Sequence, residues 1–393
     1  MPIPIDRIRA DTPGLPDTTH LIASGASLMP QPVVAAVTTH LNLEAEIGGY
    51  EAHTVKAVEL DGVYSSIARM LGAVPEEIAI MESATVAWCH AFYAIPLKPG
   101  QRILTCEAEY AANYVAFLQR AKREDVVIET VPSDDAGAVD LDALERMANG
   151  NVGLIAMTWI PTNGGLVNPA AEIGRIARAH GIPYLLDACQ AIGQMPVNVD
   201  ELGCDFLSAT GRKFLRGPRG TGFLYLRKER LVELEPAMID HFGAPWTAAN
   251  GYTLRDDARR FETWENAYAL RAGLGAAVDY ALEIGLDDIQ ARAWGLADKL
   301  RGKLLEVPGA CIRDIGRETC AIVSFTVDGL DPRETVAALR GQRINIGTSS
   351  PESTRLDSEA RRLPILLRAA PHYYNTSEEL DRLIMALNDL HSQ

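Results

Sequence analysis

Short apolar runs alternate with amphipathic stretches through the first half of the chain. Ile103–Cys106, Val126–Val131, Val152–Trp159, Tyr184–Asp187, Phe206–Ser208 and Gly222–Leu226 have the length and composition of strands. The strings IPYLLD and VGLIAMTW are apolar without a break, as a strand covered on both faces must be. Between them, Asn113–Lys122, Leu141–Met147 and Pro169–Ala179 read as helices, as does Val33–Glu44 after the prolines at Pro13–Pro16 and Pro30–Pro32. Such alternation predicts an α/β fold, a mostly parallel sheet with helices on both sides. After Arg260 the texture changes. Long helical stretches at Ala267–Glu283 and Asp287–Leu305 precede a strand Ala321–Val327, a helix Pro332–Arg340 and a strand Ile365–Ala369. A last helix, Ser377–Leu390, carries Glu378 and Glu379 in its first turn. The pattern predicts a large domain over 21–260 and a smaller C-terminal α+β domain over 261–393. Residues 1–20 would pack on the small domain or on a partner.

At 393 residues, 47% hydrophobic and 23% charged, the chain is too long for one small core and has an ordinary soluble composition. A net charge of −15 would be repelled by nucleic acid and by an anionic membrane, so neither is expected as a partner. A small anion in a local positive pocket stays possible. The start, MPIPIDRIRADTPGLPD, lacks the apolar core of a signal peptide, and no run has the length of a membrane span. Cys89, Cys106, Cys189, Cys204, Cys311 and Cys320 are scattered without a CxxC pair. They are expected to be buried thiols in a reducing cytoplasm, with neither a disulfide framework nor a metal site.

The chemistry concentrates between Tyr184 and Glu229. Asp187 closes a buried strand, so its carboxylate emerges at the strand's carboxyl end, where ligands of open α/β sheets bind. Lys213 follows the next strand, in a loop with Gly211, Gly217, Gly220 and Gly222. A desolvated lysine there would be a nucleophile towards aldehydes. Each residue alone has a plain alternative, a cap or ion pair for the aspartate and a solvated amine for the lysine. Together they are more specific. The succession Asp187, Gln190, Cys204-Asp205-Phe206 and Thr210-Gly211-Arg212-Lys213 resembles the class V aminotransferase superfamily of fold-type I pyridoxal-phosphate (PLP) enzymes. The resemblance runs over nearly the whole chain.

It implies a large domain with a mostly parallel seven-stranded sheet, a smaller C-terminal domain, and pyridoxal 5'-phosphate as cofactor. Lys213 would carry the cofactor as a Schiff base and move the substrate's Cα proton. Asp187 would pair with the ring nitrogen, so that the ring can accept electrons. Gln190 would hydrogen-bond the ring's phenolic oxygen. Ser83-Ala84-Thr85, opening the helical stretch Thr85–Ala94, falls where the family has its phosphate-binding turn, and free N–H groups at a helix start favour an anion. Thr210 and Arg212 match further phosphate contacts, although relatives such as the cysteine desulfurases commonly carry His in place of Arg212. Asn163, in TWIPTNGGLVNP, matches an Asn that faces the cofactor oxygen or the substrate carboxylate. Tyr110 falls where relatives stack a ring on the pyridine, whereas the desulfurase pattern Glu-His-His-Ala-Asn puts Ala111 there; both alternatives stay open. Arg368, shortly before Tyr-Asn-Thr, would grip the substrate α-carboxylate with a bidentate fork that lysine cannot reproduce. RRFETWEN resembles the segment that closes the partner's phosphate site in a homodimer, with Thr263 near that phosphate, but it lacks the usual Gly-Thr pair.

Cysteine desulfurases hold a nucleophilic Cys on a loop before the substrate arginine, and no Cys occurs here from Asn345 to Arg368. A desulfurase of the usual type is therefore not expected. The strings EAEIGGYEA, RRFETWE and SSPESTRLD…HYYNT instead resemble hercynylcysteine sulfoxide lyases and isopenicillin N epimerase-like members. That implies a carbon–sulfur lyase acting by β-elimination on an S-substituted cysteine or cysteine sulfoxide, giving pyruvate and ammonia. An aminotransferase or an amino-acid epimerase or racemase is the alternative. The expected partners are a small amino-acid substrate and a second copy of the chain. Neither GxGxxG with its downstream acid nor GxxxxGK[ST] is present, which argues against a nicotinamide oxidoreductase and a P-loop ATPase.

Overall fold

Seven strands join into one sheet in the computed structural model, which describes residues 3–392. From one edge they run Ile78–Met81, Gly222–Leu226, Phe206–Thr210, Tyr184–Asp187, Val152–Thr158, Arg102–Cys106 and Val127–Val131. Gly222–Leu226 is antiparallel to both neighbours, and every other adjacent pair is parallel. Val152–Thr158, Tyr184–Asp187, Phe206–Thr210 and Gly222–Leu226 are buried at every position, which explains their unbroken apolar sequence. Helices Ala84–Ala94 and Ala111–Glu124 cover one face over Trp88, Phe92, Phe117 and Phe206. The opposite face packs Met157, Tyr184, Leu186, Leu207 and Phe223 into a core continuous with the C-terminal elements.

Parallel pairing gathers the carboxyl ends of three strands, with Asp187 opposite both Thr158 and Ser208. The residues that follow these strands therefore meet at one edge of the sheet.

The second sheet is antiparallel throughout, in the order Ala310–Ile312, Val323–Val327, Leu366–Ala369 and Gly347–Ser349. Helices Leu286–Leu304, Pro332–Gly341 and Ser377–His391 accompany it. Thr19–His20 pairs with Ile344–Asn345, and Arg9 Nη1 donates to the Tyr374 carbonyl (2.8 Å) and to Glu379 (2.9 Å).

Helix Gly49–Leu71 was not anticipated from the sequence. It is entered through Gly48 at φ 97°, and Val55 and Val58 on its open side blur the helical period. The thiols also differ from expectation. Cys106, Cys204 and Cys320 are buried, Cys89 and Cys189 are half-buried and Cys311 is exposed, all of them free. No helix among the described residues is long and apolar enough to cross a membrane.

Candidate active site

Asp187 ends its strand 6% exposed, and no cation pairs with it among the described residues. Its Oδ1 accepts the Cys189 backbone N–H (2.9 Å) and its Oδ2 accepts Asn113 Nδ2 (2.9 Å). Burial raises its pKa; these two bonds and the charge of Lys213 oppose that rise. Lys213 is 9% exposed, and its charge acts on the neighbouring Cys189 thiol. Burial pushes that thiol up in pKa, with Lys213 pulling the other way.

The loop bearing Lys213 is fixed from below. Arg216, at φ 63°, donates to the Leu28 carbonyl (2.8 Å), the Tyr373 hydroxyl (2.9 Å) and Thr12 Oγ1 (2.6 Å). A non-glycine residue in the left-handed region costs about 1–2 kcal/mol, and these buried charge-assisted bonds offset it. Gly193, at φ 88°, lets the chain pass so near the loop that a Cβ would lie 2.3 Å from the Leu215 nitrogen.

Arg368 comes from the second sheet. Its Nη1 donates to the Thr162 carbonyl (2.6 Å) and hydroxyl (2.7 Å), while its Nε is buried with no partner among the described residues. Burial lowers this guanidinium to about 10, and Arg212 contributes. Tyr110 caps the start of helix Ala111–Glu124 and remains 37% exposed. Its hydroxyl feels the charges of Asp187, Arg212 and Arg368, so one neighbourhood contains all four residues. Gln190 donates from Nε2 to the Ser24 carbonyl (3.2 Å), and its buried Oε1 has no partner among the described residues.

Ser83 caps helix Ala84–Ala94 by accepting the Val86 N–H (3.2 Å). Gly222 lies against this turn, where a Cβ would sit 2.7 Å from the Ser83 carbonyl carbon and 3.0 Å from the Ala84 nitrogen. Thr210 is opposite Gly222 and donates to the Thr221 carbonyl (3.3 Å), while Arg212 donates to the Gly25 carbonyl. Thr85 is exposed and Ala84 half-buried at the same turn. Asn163 is buried, its Nδ2 donating to Asp357 Oδ2 (2.6 Å). Thr263 bonds the Glu265 carbonyl (3.3 Å) and none of the other site residues.

Several polar residues here were not singled out from the sequence. Glu109, Thr158 and Thr162 support the site, and Asp357 with Arg361 closes over Asn163 (Arg361 Nη1 to Asp357 Oδ2, 3.2 Å). In the sequence Glu109 stands four residues before Asn113, across a helix start.

An amine, an acceptor-only carboxylate, an open guanidinium edge and a helix start with a glycine cradle suit a cofactor with an aldehyde, a ring nitrogen and a phosphate. The chain matches the Aminotransferase class-V family over residues 19–383, and it belongs to that family. Its fold is that of the fold-type I PLP enzymes, and its cofactor is pyridoxal phosphate. A probable cysteine desulfurase of Methanothermobacter thermautotrophicus is 29% identical over 98% of this chain and 97% of its own length. The apo structure of the cysteine desulfurase from Thermococcus onnurineus NA1 superposes with a TM-score of 0.91 at 26% identity, covering 99% of this chain and 98% of that one. A C-DES variant with glycine covalently linked to its PLP cofactor shares the fold, with a TM-score of 0.87 at 24% identity over 97% and 99% of the two chains.

These relatives correct two expectations. The subgroup resemblance rested on short strings at Glu44–Ala52, Arg259–Glu265 and Ser349–Thr376, whereas similarity to the desulfurases spans the chain. The exclusion of desulfurases, and with it the lyase acting on S-substituted cysteines, rested on the missing Cys between Asn345 and Arg368. One absent side chain does not outweigh likeness over the whole fold.

Proposed function

We propose that this PLP enzyme acts on cysteine, removing its sulfur and leaving alanine. The observation that carries this reading is the meeting of Lys213, Asp187 and the open edge of Arg368 in a chain similar to cysteine desulfurases over 98% of its length. When bound, the cofactor supplies an aldehyde for amines and a conjugated ring that takes up electron density.

In this reading Lys213 holds the cofactor and moves the substrate's Cα proton. Asp187, fixed by Asn113 and the Cys189 N–H, keeps the ring nitrogen protonated. The Ser83–Thr85 turn, Thr210 and Arg212 hold the phosphate, while Gln190, Asn163 and Tyr110 border the ring. Arg368 grips the substrate carboxylate through its free edge, with Thr162 anchoring the other side. The protein works as a homodimer, with Thr263 set against the partner's phosphate site.

Cleavage leaves the bonding electrons and a proton on Cβ, so a thiol must take up the sulfur as a persulfide. Cys189, which feels the charge of Lys213, is one acceptor, and a thiol in solution is the other. Incubation of the holoenzyme with L-cysteine and dithiothreitol should give alanine and sulfide in equal amounts, with no 2-oxo acid required. Pyruvate and ammonia in their place, or a dependence on a 2-oxo acid, would sink the reading. Omitting reductant assigns the acceptor: one added sulfur on the Cys189 peptide points to that residue, and an unmodified peptide to solution.

A further inference from the structure

Glu109 has no part in the chemistry above, yet polar groups converge on its buried carboxylate. It accepts the hydroxyls of Thr158 and Thr105 (2.9 Å for Thr105), the Tyr110 backbone N–H (2.8 Å) and Asn113 Nδ2 (2.8 Å). The same Asn113 nitrogen donates to Asp187 Oδ2 at 2.9 Å. One amide group thus bridges two buried carboxylates, and Asp187 is the one assigned to the ring nitrogen.

A carboxylate this deep is ordinarily paired with a cation. No ion pair forms at Glu109 among the described residues. The titratable groups that act on it or feel it are Asp187, Cys106 and Tyr184, each anionic when ionised. The positive group acting on this chain of contacts is Lys213, whose charge is felt by Asp187. A plain scaffold for the turn at residues 106–113 would need hydrogen bonds but no uncompensated charge.

We propose that Glu109 is a positioning residue that acts through Asn113 on Asp187 and sets how firmly the ring nitrogen of the bound cofactor keeps its proton. The proposal rests on the assignment of Asp187 to that nitrogen. A negative charge two hydrogen bonds behind Asp187 makes the pair a stronger partner for a cation, and the dry surroundings magnify the effect. Burial raises Glu109 to about 7, so it ionises near neutrality. As pH rises through that value Glu109 gains its charge, and the ring proton is held more tightly just as solution conditions begin to remove it. Loss of the charge should therefore let the cofactor deprotonate at lower pH.

The test follows the NMR shift of an isotope-labelled ring nitrogen in the bound cofactor against pH, in the wild type and in Glu109→Gln, Asn113→Ala and Asp187→Ala. Glu109→Gln and Asn113→Ala should each lower the midpoint by roughly one pH unit, the scale of a nearby charge, and Glu109→Asp should restore part of it. Asn113→Ala decides the matter if Glu109→Gln does not fold. Wild-type midpoints in both variants, with Asp187→Ala displaced, would leave Glu109 a scaffold residue and overturn the proposal alone. An undisplaced Asp187→Ala would overturn it together with the assignment of Asp187 to the ring.

Discussion

Arg368 is buried, yet one edge of its guanidinium lacks a partner among the described residues, an expensive arrangement unless an anion completes it. Thr162 holds Nη1 from the other side, so the group cannot swing away. Arg368→Lys removes the planar fork and keeps the charge. It should raise KM for cysteine roughly 10-fold or more, the loss of a charge-assisted bond worth about 1.5–3 kcal/mol. Steady-state kinetics check this, and an unchanged KM would mean the carboxylate sits elsewhere. Lys213 and Asp187 stand out in the sequence because both fall in the one stretch, Tyr184 to Glu229, that carries the family resemblance. Glu109 and Asp357 do not. Glu109 matters only once a helix start meets a strand end, and Asp357 only when its segment docks on Asn163.

The central strands, unbroken apolar runs with few other uses, are legible in the sequence almost to the residue, whereas Ile78–Met81, equally buried but only four residues long, is not. Elements with one wet side were harder, and helix Gly49–Leu71 escaped for that reason. The segment before Arg368 was judged by a missing side chain, but the backbone there has its own structure. Residues Pro351–Thr354 form a tight turn and Arg355–Ala360 a short helix, fastened by the Asp357 N–H to the Glu107 carbonyl (3.1 Å) and by Asp357 to Asn163. Gly222 offers a sharper test of how elements define the site, because its missing Cβ is what lets the Ser83 turn approach the strand. Gly222→Ala should push that turn outward and weaken cofactor retention roughly 10-fold or more while the protein stays folded, about 1–3 kcal/mol for overpacking. Equilibrium titration of apoprotein with PLP measures it, and an unaltered affinity would place the phosphate away from this turn.

For the whole molecule, Leu41, Tyr50, Val55 and Val58 on the helices Gln31–Ile47 and Gly49–Leu71 are exposed, as is Trp264, and the proposed homodimer would cover them. Sedimentation should therefore return twice the chain mass, and charge placed at Val58 should shift the protein towards monomer. A stable, fully active monomer would contradict the shared site. Arg216 carries a different consequence. Its three bonds reach Thr12, Leu28 and Tyr373, while Arg9 joins Glu379 across most of the chain. Synthesis runs from the N-terminus, so the large sheet can assemble long before Tyr373 leaves the ribosome. Until then the lysine loop lacks one of its three anchors. The nascent protein can gather its sheet early, but the loop that carries the amine gains its last anchor only when Tyr373 docks.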